Sequence, residues 1–371
     1  MTVALLERLA APGPKRILAI DGGGVRGIVA LAFLQCVEDL LRARSGNAEL
    51  CLADYFDLIG GTSIGAVIAT ALALGRDVAT IRQQFGELVT AAFVGRRHWR
   101  IERARYDPAP LERVLLHVFG DRTLGDSEVR TGLCIVTKRA DTGSTWPLLN
   151  HPAGQFYAEN RRILLRDALR ASAAAPTYFE PEQLRVLDDE VGVFVDGGVS
   201  MATNPAFQLF LVATLQGFHF NWSLGENRLL LVSVGTGSWR RQEVPQRVMN
   251  RRLWNWLIDI PGMLIHDGSL QNQLFLQLIS RSPTAIEIDR EIGDLSSDLL
   301  TPEPLLSYIR YDARLDAVGL QALDLSHLVR HHARLRELSS VSNLAQLELV
   351  GDRSARLQVK PEHFPLVFDP T

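Results

Sequence analysis

Short runs of consecutive apolar residues alternate with helical patterns along the first two thirds of the chain. Five runs have the length and composition of buried strands, at residues 16–20, 55–59, 133–137, 191–195 and 229–234. Between the first two, Ile28, Leu31, Leu34, Val37 and Leu41 recur at the spacing of one helix face. Alternating strands and helices of this kind predict an α/β fold with a mainly parallel sheet.

The hydrophobic pattern changes character beyond residue 240. Residues 251–280 and 316–347 are largely helical in pattern, and residues 359–368 have the pattern of an extended tail. We find no internal repeat and no low-complexity linker. We therefore predict a core at residues 15–240 and a mostly helical extension at residues 241–371 that docks on it. Within the extension, the Trp254–Trp256 region has core packing as its default role. A membrane-facing element, a lid and a dimer face are the alternatives.

Composition narrows the class of protein. The chain has 371 residues, is 47% hydrophobic and carries a formal net charge of -3, which argues against a general nucleic-acid binder. Its three cysteines are widely spaced, which favours a reducing compartment. We see neither a hydrophobic signal segment nor an apolar run long enough to span a bilayer. These features predict a cytoplasmic protein. A basic, aromatic segment at residues 96–105 is either a solvated face or a contact for anionic lipid head groups.

The pentapeptide Gly61-Thr62-Ser63-Ile64-Gly65 lies between a predicted strand and a predicted helix. In that context Gly-x-Ser-x-Gly is typical of a nucleophile elbow, in which the serine hydroxyl projects from a sharp turn at a helix N-terminus. The free N–H groups and positive end of the helix favour an oxyanion there. The alternative is a tight turn in which Ser63 only caps the helix.

The first predicted strand runs into Asp21-Gly22-Gly23-Gly24-Val25-Arg26-Gly27. Three adjacent glycines at a helix N-terminus can present bare N–H groups to an anion, as an oxyanion hole requires. Arg26 falls in the first helical turn, where a cation is unfavourable, so we expect an anion or a carboxylate close to it. A solvated Arg26 is the alternative.

Asp196-Gly197-Gly198 follows the predicted strand at residues 191–195. Ligands of open α/β sheets bind beyond the carboxyl ends of the strands, where Ser63 and the glycines are also predicted to lie. Asp196 can then act as the base for Ser63. A small-residue stretch, residues 171–176, also stands out, with close packing as its default role.

Taken together, these motifs resemble the patatin-like phospholipase family in order and rough spacing, over about residues 15–240. The resemblance implies a three-layer α/β/α sandwich and a Ser-Asp dyad without histidine. By that resemblance, Ser63 is the nucleophile, Asp196 the general base, and the backbone of Gly22, Gly23 and Gly24 the oxyanion hole. Arg26 matches the basic position of the motif and is an anion-stabilising candidate.

The resemblance also carries expectations about partners. It implies a phospholipase A-type acyl hydrolase that meets membrane phospholipid at the inner face of the membrane, without a cofactor or nucleic acid. The last third looks like bacterial members of the family. Some of those are defence effectors activated by a cyclic dinucleotide, although no motif here identifies a nucleotide site. A homo-oligomer is left open.

Three alternatives stay open on the sequence alone. An α/β-hydrolase with a Ser-Asp-His triad could use His219 or His266 with Asp196. A non-enzymatic dinucleotide-binding module could use Gly22, Gly24 and Gly27, although Asp21 would place a carboxylate beside the pyrophosphate. A metal enzyme is the weakest alternative, because the adjacent pair His331-His332 lacks ligand spacing.

Overall fold

The computed structural model describes residues 2–93, 104–187, 190–241 and 243–369, and the side chains from residue 4 onward. The basic, aromatic segment at residues 96–105 therefore lies outside the described residues, apart from residues 104 and 105.

In the described ranges, nine strands form one sheet. They are β1 (Lys15–Ile20), β2 (Leu58–Thr62), β3 (Gly132–Arg139), β4 (Ser144–Leu149), β5 (Glu182–Leu187), β6 (Glu190–Asp196), β7 (Leu229–Val234), β8 (Ser280–Arg281) and β9 (Leu306–Tyr311).

The α-helices surround this sheet. They are α1 (Thr2–Ala10), α2 (Gly27–Ser45), α3 (Leu52–Tyr55), α4 (Ile64–Ala73), α5 (Val78–Phe93), α6 (Ala109–Phe119), α7 (Tyr157–Asn160), α8 (Leu165–Ser172), α9 (Ala206–Thr214), α10 (Pro245–Met249), α11 (Leu253–Ile279), α12 (Ala317–Ala322), α13 (His332–Leu335) and α14 (Leu344–Gln358).

The strand order is β5-β6-β3-β2-β1-β7-β9-β8, with β4 paired to β3. The six strands β1, β2, β3, β7, β8 and β9 run parallel to one another. Strands β4 and β6 run antiparallel to β3, and β5 runs antiparallel to β6. The predicted α/β fold with a mainly parallel sheet is confirmed.

Both faces of the sheet are covered, which explains why its strands are apolar throughout. Leu18 and Ile20 of β1 pack into a core with helices α2, α4, α5, α6, α8 and α14. Ile17 and Ala19 of the same strand point the other way, into a second core with α1 and α9. Strands buried on both faces show continuous hydrophobic runs instead of alternation.

Two features of the sheet differ from the sequence-based picture. The sheet does not end at residue 240, because β9 from the C-terminal third pairs with the central strand β7. The division between residues 15–240 and 241–371 stays a prediction, and it cuts across this sheet. In addition, the strand predicted at residues 191–195 is β6, which is antiparallel to its neighbour β3. Local hydrophobic patterns carry no information on strand direction, since partner choice depends on residues far away in the chain.

Candidate active site

Ser63 lies between strand β2 and helix α4 in a backbone conformation that side-chain-bearing residues rarely adopt. Its φ is 55° and its ψ is -125°. A Cβ at Gly61 would overlap the Gly65 carbonyl, and a Cβ at Gly65 would overlap the Ile20 carbonyl of strand β1. Both glycines of the pentapeptide are thus required by close backbone approach. The geometry is that of a nucleophile elbow.

The Asp196 carboxylate lies next to the nucleophile candidate. The Ser63 side chain is close enough to the carboxylate to lower the pKa of Asp196. The backbone N–H of Gly198 donates to Asp196 Oδ1 at 2.7 Å and fixes the carboxylate. Strand β6 enters antiparallel to β3, pairing Asp196 with Thr137, and the next residue, Gly197, packs against Thr62. The predicted convergence at one site is observed, but it arises from an antiparallel strand and not from parallel strand ends.

Burial sets the proton affinity of Asp196. Only 6% of this residue is exposed. Loss of solvent raises the pKa of Asp196 from 3.8 to about 6, although the nearby Ser63 side chain and the hydrogen bond from Gly198 act in the opposite direction. A carboxylate with a raised pKa is a better base near neutral pH than an ordinary aspartate.

Ser172 holds the backbone of the elbow. The Ser63 N–H donates to Ser172 Oγ at 2.9 Å, and Ser172 Oγ donates to the Val136 carbonyl at 2.7 Å. Ser172 is fully buried, so no water replaces these bonds. Sequence reasoning gave this small-residue stretch close packing as its default role, with room for a bound chain as the alternative, and predicted no contact with Ser63. The one signal available was a lone hydroxyl among alanines at residues 171–175.

The glycine loop lies directly beside Ser63, but its three N–H groups are not equivalent. A Cβ on Gly22 would lie 3.5 Å from Ser63 Cβ, so this part of the loop adjoins the nucleophile. The Gly22 N–H donates to the Thr203 carbonyl at 2.9 Å and is therefore engaged. Among the described residues, neither the Gly23 nor the Gly24 N–H has a hydrogen-bond acceptor. The candidate donors of the oxyanion hole are therefore reduced from the N–H groups of Gly22, Gly23 and Gly24 to those of Gly23 and Gly24.

Two distant segments fix the shape of this loop. Thr236 Oγ1, which follows strand β7, donates to the Gly22 carbonyl at 2.7 Å. The Val25 N–H donates to the Leu338 carbonyl at 2.9 Å, and that carbonyl would clash with any Cβ on Gly24. Gly24 has a φ of 57°, so glycine is favoured there on conformational grounds as well. Neither Thr236 nor Leu338 was identified from the sequence.

Arg26 has different neighbours from those expected. Its Nη1 donates to the Gly237 carbonyl at 3.1 Å, and its guanidinium lies over the Trp239 ring at 5.2 Å. It forms no salt bridge with a carboxylate in the described part of the chain. Burial lowers the pKa of Arg26 to about 10, opposed by Asp312 and Asp21. Arg26 therefore ties the glycine loop to the segment after β7, and its role as an anion-stabilising residue stays a prediction.

Asp21, the first residue of the glycine motif, forms a buried salt bridge with Arg310 of strand β9. Arg310 Nη1 donates to Asp21 Oδ1 at 2.8 Å and Nη2 donates to Oδ2 at 2.6 Å. The same guanidinium donates to Ser233 Oγ and Asp312 Oδ2. Burial opposes the charge on Arg310, but the Asp21 and Asp312 carboxylates outweigh it and raise the pKa of Arg310. Asp21, whose carboxylate is unfavourable for a dinucleotide site, thus anchors the glycine loop to strand β9.

Comparison with known protein families matches residues 18–210 to the family described as patatin-like phospholipase. The match covers more than half of the chain and contains the glycine loop, the elbow and Asp196. The chain belongs to the patatin-like phospholipase family.

Individual relatives with curated descriptions fall in the same patatin-like family. A cGAMP-activated phospholipase of Vibrio cholerae is 34% identical over 204 residues, covering 52% of this chain and 56% of that protein. A cGAMP-activated phospholipase of Escherichia coli is 26% identical over 67% of this chain and 69% of its own length. Patatin-17 of Solanum cardiophyllum is 27% identical over 70% of this chain and 71% of its own. The chain thus matches little more than half of the Vibrio cholerae relative.

The histidines of the alternative triad do not join this patatin-like site. His219 is next to Phe220 in the chain, and the Phe220 ring lies against Gly132 at the start of β3. That end of the sheet is opposite to the end where Ser63 lies. His266 stacks on Trp239, with ring centroids 6.3 Å apart. Within the described ranges, no histidine hydrogen-bonds to Ser63 or Asp196.

The described residues also contain no cluster of three or more His, Cys, Asp or Glu side chains arranged to hold a metal ion. The residues that this patatin-like site brings together are Ser63, Asp196 and two free glycine N–H groups.

Proposed function

We propose that this protein is a lipid acyl hydrolase of the phospholipase A type that uses Ser63 as nucleophile and Asp196 as general base. The observation that carries the proposal is the closeness of the Ser63 side chain to the buried Asp196 carboxylate. The adjacent Gly23 and Gly24 N–H groups supply the place for an oxyanion.

In the proposed reaction, Asp196 accepts the hydroxyl proton as Ser63 Oγ attacks the ester carbonyl carbon. The carbonyl oxygen becomes an oxyanion that accepts hydrogen bonds from the Gly23 and Gly24 N–H groups. When the tetrahedral intermediate collapses, the bond to the alcohol oxygen breaks, and Asp196 returns the proton to that oxygen. The lysolipid leaves, and the acyl group stays on Ser63.

Water completes the cycle by the same route. Asp196 takes a proton from the water as the water oxygen attacks the acyl-enzyme carbonyl. The second intermediate then collapses, the bond from the carbonyl carbon to Ser63 Oγ breaks, and Asp196 returns the proton to Ser63 Oγ as the fatty acid leaves. The Ser63 N–H donates a hydrogen bond to Ser172 Oγ, and this bond holds the nucleophile in place during both steps. The same N–H therefore does not donate to the oxyanion.

We further propose that a cyclic dinucleotide gates the activity and that the protein is a bacterial defence effector. The support is the similarity to the Vibrio cholerae and Escherichia coli proteins, both described as cGAMP-activated phospholipases. On this proposal the enzyme works in the cytoplasm and contacts the inner face of the membrane transiently. A homo-oligomeric active form is part of the same hypothesis.

The test is mass-spectrometric detection of fatty acid and lysolipid released from phospholipid vesicles, with and without cGAMP and other cyclic dinucleotides. We expect release by the wild type, rising strongly with one of these nucleotides. Equal release in all conditions would contradict gating. Cleavage of small soluble esters without any release from vesicles would point instead to a soluble esterase.

The pH dependence of the reaction is expected to report Asp196. The carboxylate is active as a base only when deprotonated, and its pKa is raised from 3.8 to about 6. Consequently kcat/KM for an uncharged soluble ester should be flat above about pH 7 and fall about tenfold per pH unit below pH 6. An ordinary aspartate would sustain the rate down to about pH 4.

Initial rates between pH 4.5 and 8, with tryptophan fluorescence recorded in the same buffers to confirm folding, provide the measurement. A rate that stays constant down to pH 4.5 in the folded enzyme would exclude a base with a raised pKa. An inflection near pH 6 that persists in buffers of different chemistry would support Asp196.

A further inference from the structure

The first half of helix α11 exposes its apolar side chains to solvent. Between Leu253 and Asp267 no residue is buried. Leu253 is 77% exposed, Trp254 71% and Leu264 65%. Among the described residues, no helix is long and apolar enough to cross a bilayer.

These side chains occupy one face of the helix. At 3.6 residues per turn, the half-buried Trp256 and Met263 fall on one side of the helix, and the seven exposed apolar positions fall within less than half of its circumference on the other side. They are Leu253, Trp254, Leu257, Ile258, Ile260, Leu264 and Ile265. The polar positions Asn255, Asp259 and His266 lie on the opposite side.

The polar side of this half contacts the segment that precedes the helix. Asp259 forms salt bridges with Arg241 at 3.2 Å and with Arg251 at 3.0 Å, and His266 stacks on Trp239. The exposed apolar positions continue the side of α11 whose later residues, Gly268 and Asn272, are buried against the protein. An amphipathic helix normally packs such a stripe on a core, but in the first half of α11 the stripe stays exposed.

The second half of α11 anchors this surface beside the dyad. A Cβ placed on Gly268 would lie 3.2 Å from the Cα of Met201, so the helix packs closely on that residue. Asn272 Nδ2 donates a hydrogen bond to the Met201 carbonyl at 2.5 Å. Met201 and Val199, both about half exposed, follow Asp196 by only a few residues. Leu264 lies one helical turn before Gly268. The exposed apolar face thus extends from the residues next to the catalytic aspartate.

The charge around the exposed face is positive. Residues 240–267 contain five arginines, at positions 240, 241, 247, 251 and 252, and three acidic residues, Glu243, Asp259 and Asp267. Arg247 and Arg252 are solvent-exposed. Basic residues next to an apolar helix face are attracted to anionic lipid head groups. A second copy of the chain would bring the same positive charge to the contact.

We propose that the apolar face of the first half of α11 docks on the anionic surface of a lipid bilayer. The apolar side chains enter the boundary between head groups and acyl chains, while Arg247 and Arg252 meet the phosphates. This inference rests on the proposed function, because a phospholipid substrate must reach the dyad from that bilayer. Docking through α11 places Ser63 close to its substrate.

The test compares vesicle binding of the wild type with that of a triple variant, Leu257→Ser with Ile258→Ser and Leu264→Ser. Flotation with vesicles of phosphatidylcholine and phosphatidylglycerol, with and without cGAMP, measures the bound fraction. We expect the triple variant to bind on the order of a hundredfold more weakly, because three apolar side chains no longer enter the bilayer. Hydrolysis of a short, soluble ester should change less than about twofold, since none of the three contacts the dyad.

A matched control removes equally exposed leucines elsewhere. Leu116→Ser with Leu357→Ser and Leu366→Ser changes side chains that are 49%, 62% and 78% exposed, away from α11. This control should bind vesicles like the wild type. A second variant, Arg247→Gln with Arg252→Gln, should lose affinity for anionic vesicles and keep that for pure phosphatidylcholine.

Equal vesicle binding by the α11 triple variant and the wild type would overturn the proposal. So would a wild type that ignores vesicles but forms a dimer in sedimentation experiments, with the triple variant monomeric, because the face would then join two copies. A separate outcome would contradict the proposed function alone. If vesicle binding depends on α11 but no lipid is hydrolysed, the docking proposal holds and the phospholipase proposal is wrong.

Discussion

Ser63→Ala and Asp196→Asn are each expected to abolish ester hydrolysis. The first removes the attacking oxygen, and the second replaces the base by an amide that cannot accept the proton. In enzymes where nucleophile and base act as a unit, losing either costs roughly 10⁴- to 10⁶-fold in kcat. The measurement is kcat/KM for a soluble ester, together with fatty acid release from vesicles, for purified variants whose circular dichroism matches the wild type.

Controls for the dyad come from the exposed face of α2 and from the histidines. Ser45→Ala and Asp39→Asn make the same chemical changes at exposed positions and should retain full activity. His219→Ala and His266→Ala should also retain soluble-ester activity. Near-normal rates in folded Ser63→Ala or Asp196→Asn would refute the dyad. A collapse in one histidine variant would restore the Ser-Asp-His alternative.

The elbow shows how far local sequence could predict the site. The order strand, turn, helix around Ser63 is observed, and Gly75, just beyond the end of helix α4, has a φ of 78°. The strand itself was misplaced by three residues, because β2 spans Leu58–Thr62 while residues 52–55 form a short helix. Glycines have low strand propensity, so pairing of β2 with β1 and β3 outweighs the local preference.

Contacts between distant parts of the chain set the limit of sequence-based prediction. The bond from Ser172 to Ser63 joins residues 109 positions apart, and that from Arg310 to Asp21 joins residues 289 apart. No periodicity or motif spacing encodes such pairs. A charged residue inside the strand-like run at residues 306–311 was the one available sign that Arg310 has a buried partner.

The outward apolar face of α11 illustrates the same limit. Its helical pattern was predicted, with core packing as the default role. Periodicity shows that a helix is amphipathic but not whether the rest of the chain covers its apolar side. In α11 that side is buried at Gly268 and Asn272 but exposed in the first half of the helix.

Arg310→Met is expected to cause the largest loss of stability. Arg310 and Asp21 are both nearly inaccessible to solvent, and their bidentate pairing satisfies a buried carboxylate. Removing one partner leaves an uncompensated buried charge, which costs about 3–5 kcal/mol in the free energy of unfolding. Urea denaturation followed by tryptophan fluorescence measures this difference. Activity should fall as well, because Asp21 directly precedes the glycines of the proposed oxyanion hole.

The comparison with an exposed ion pair separates burial from charge. Arg281→Met breaks the contact with Glu226, and 71% of the Arg281 side chain is exposed, so this change should cost less than about 1 kcal/mol. The double variant Asp21→Leu with Arg310→Met removes both members of the bidentate pair, although Asp312 still loses its contact with Arg310, and it should recover part of the stability lost in Arg310→Met alone. If Arg310→Met were no more destabilising than Arg281→Met, the pair would not anchor the glycine loop. The loop would then owe its shape to Thr236 and Leu338.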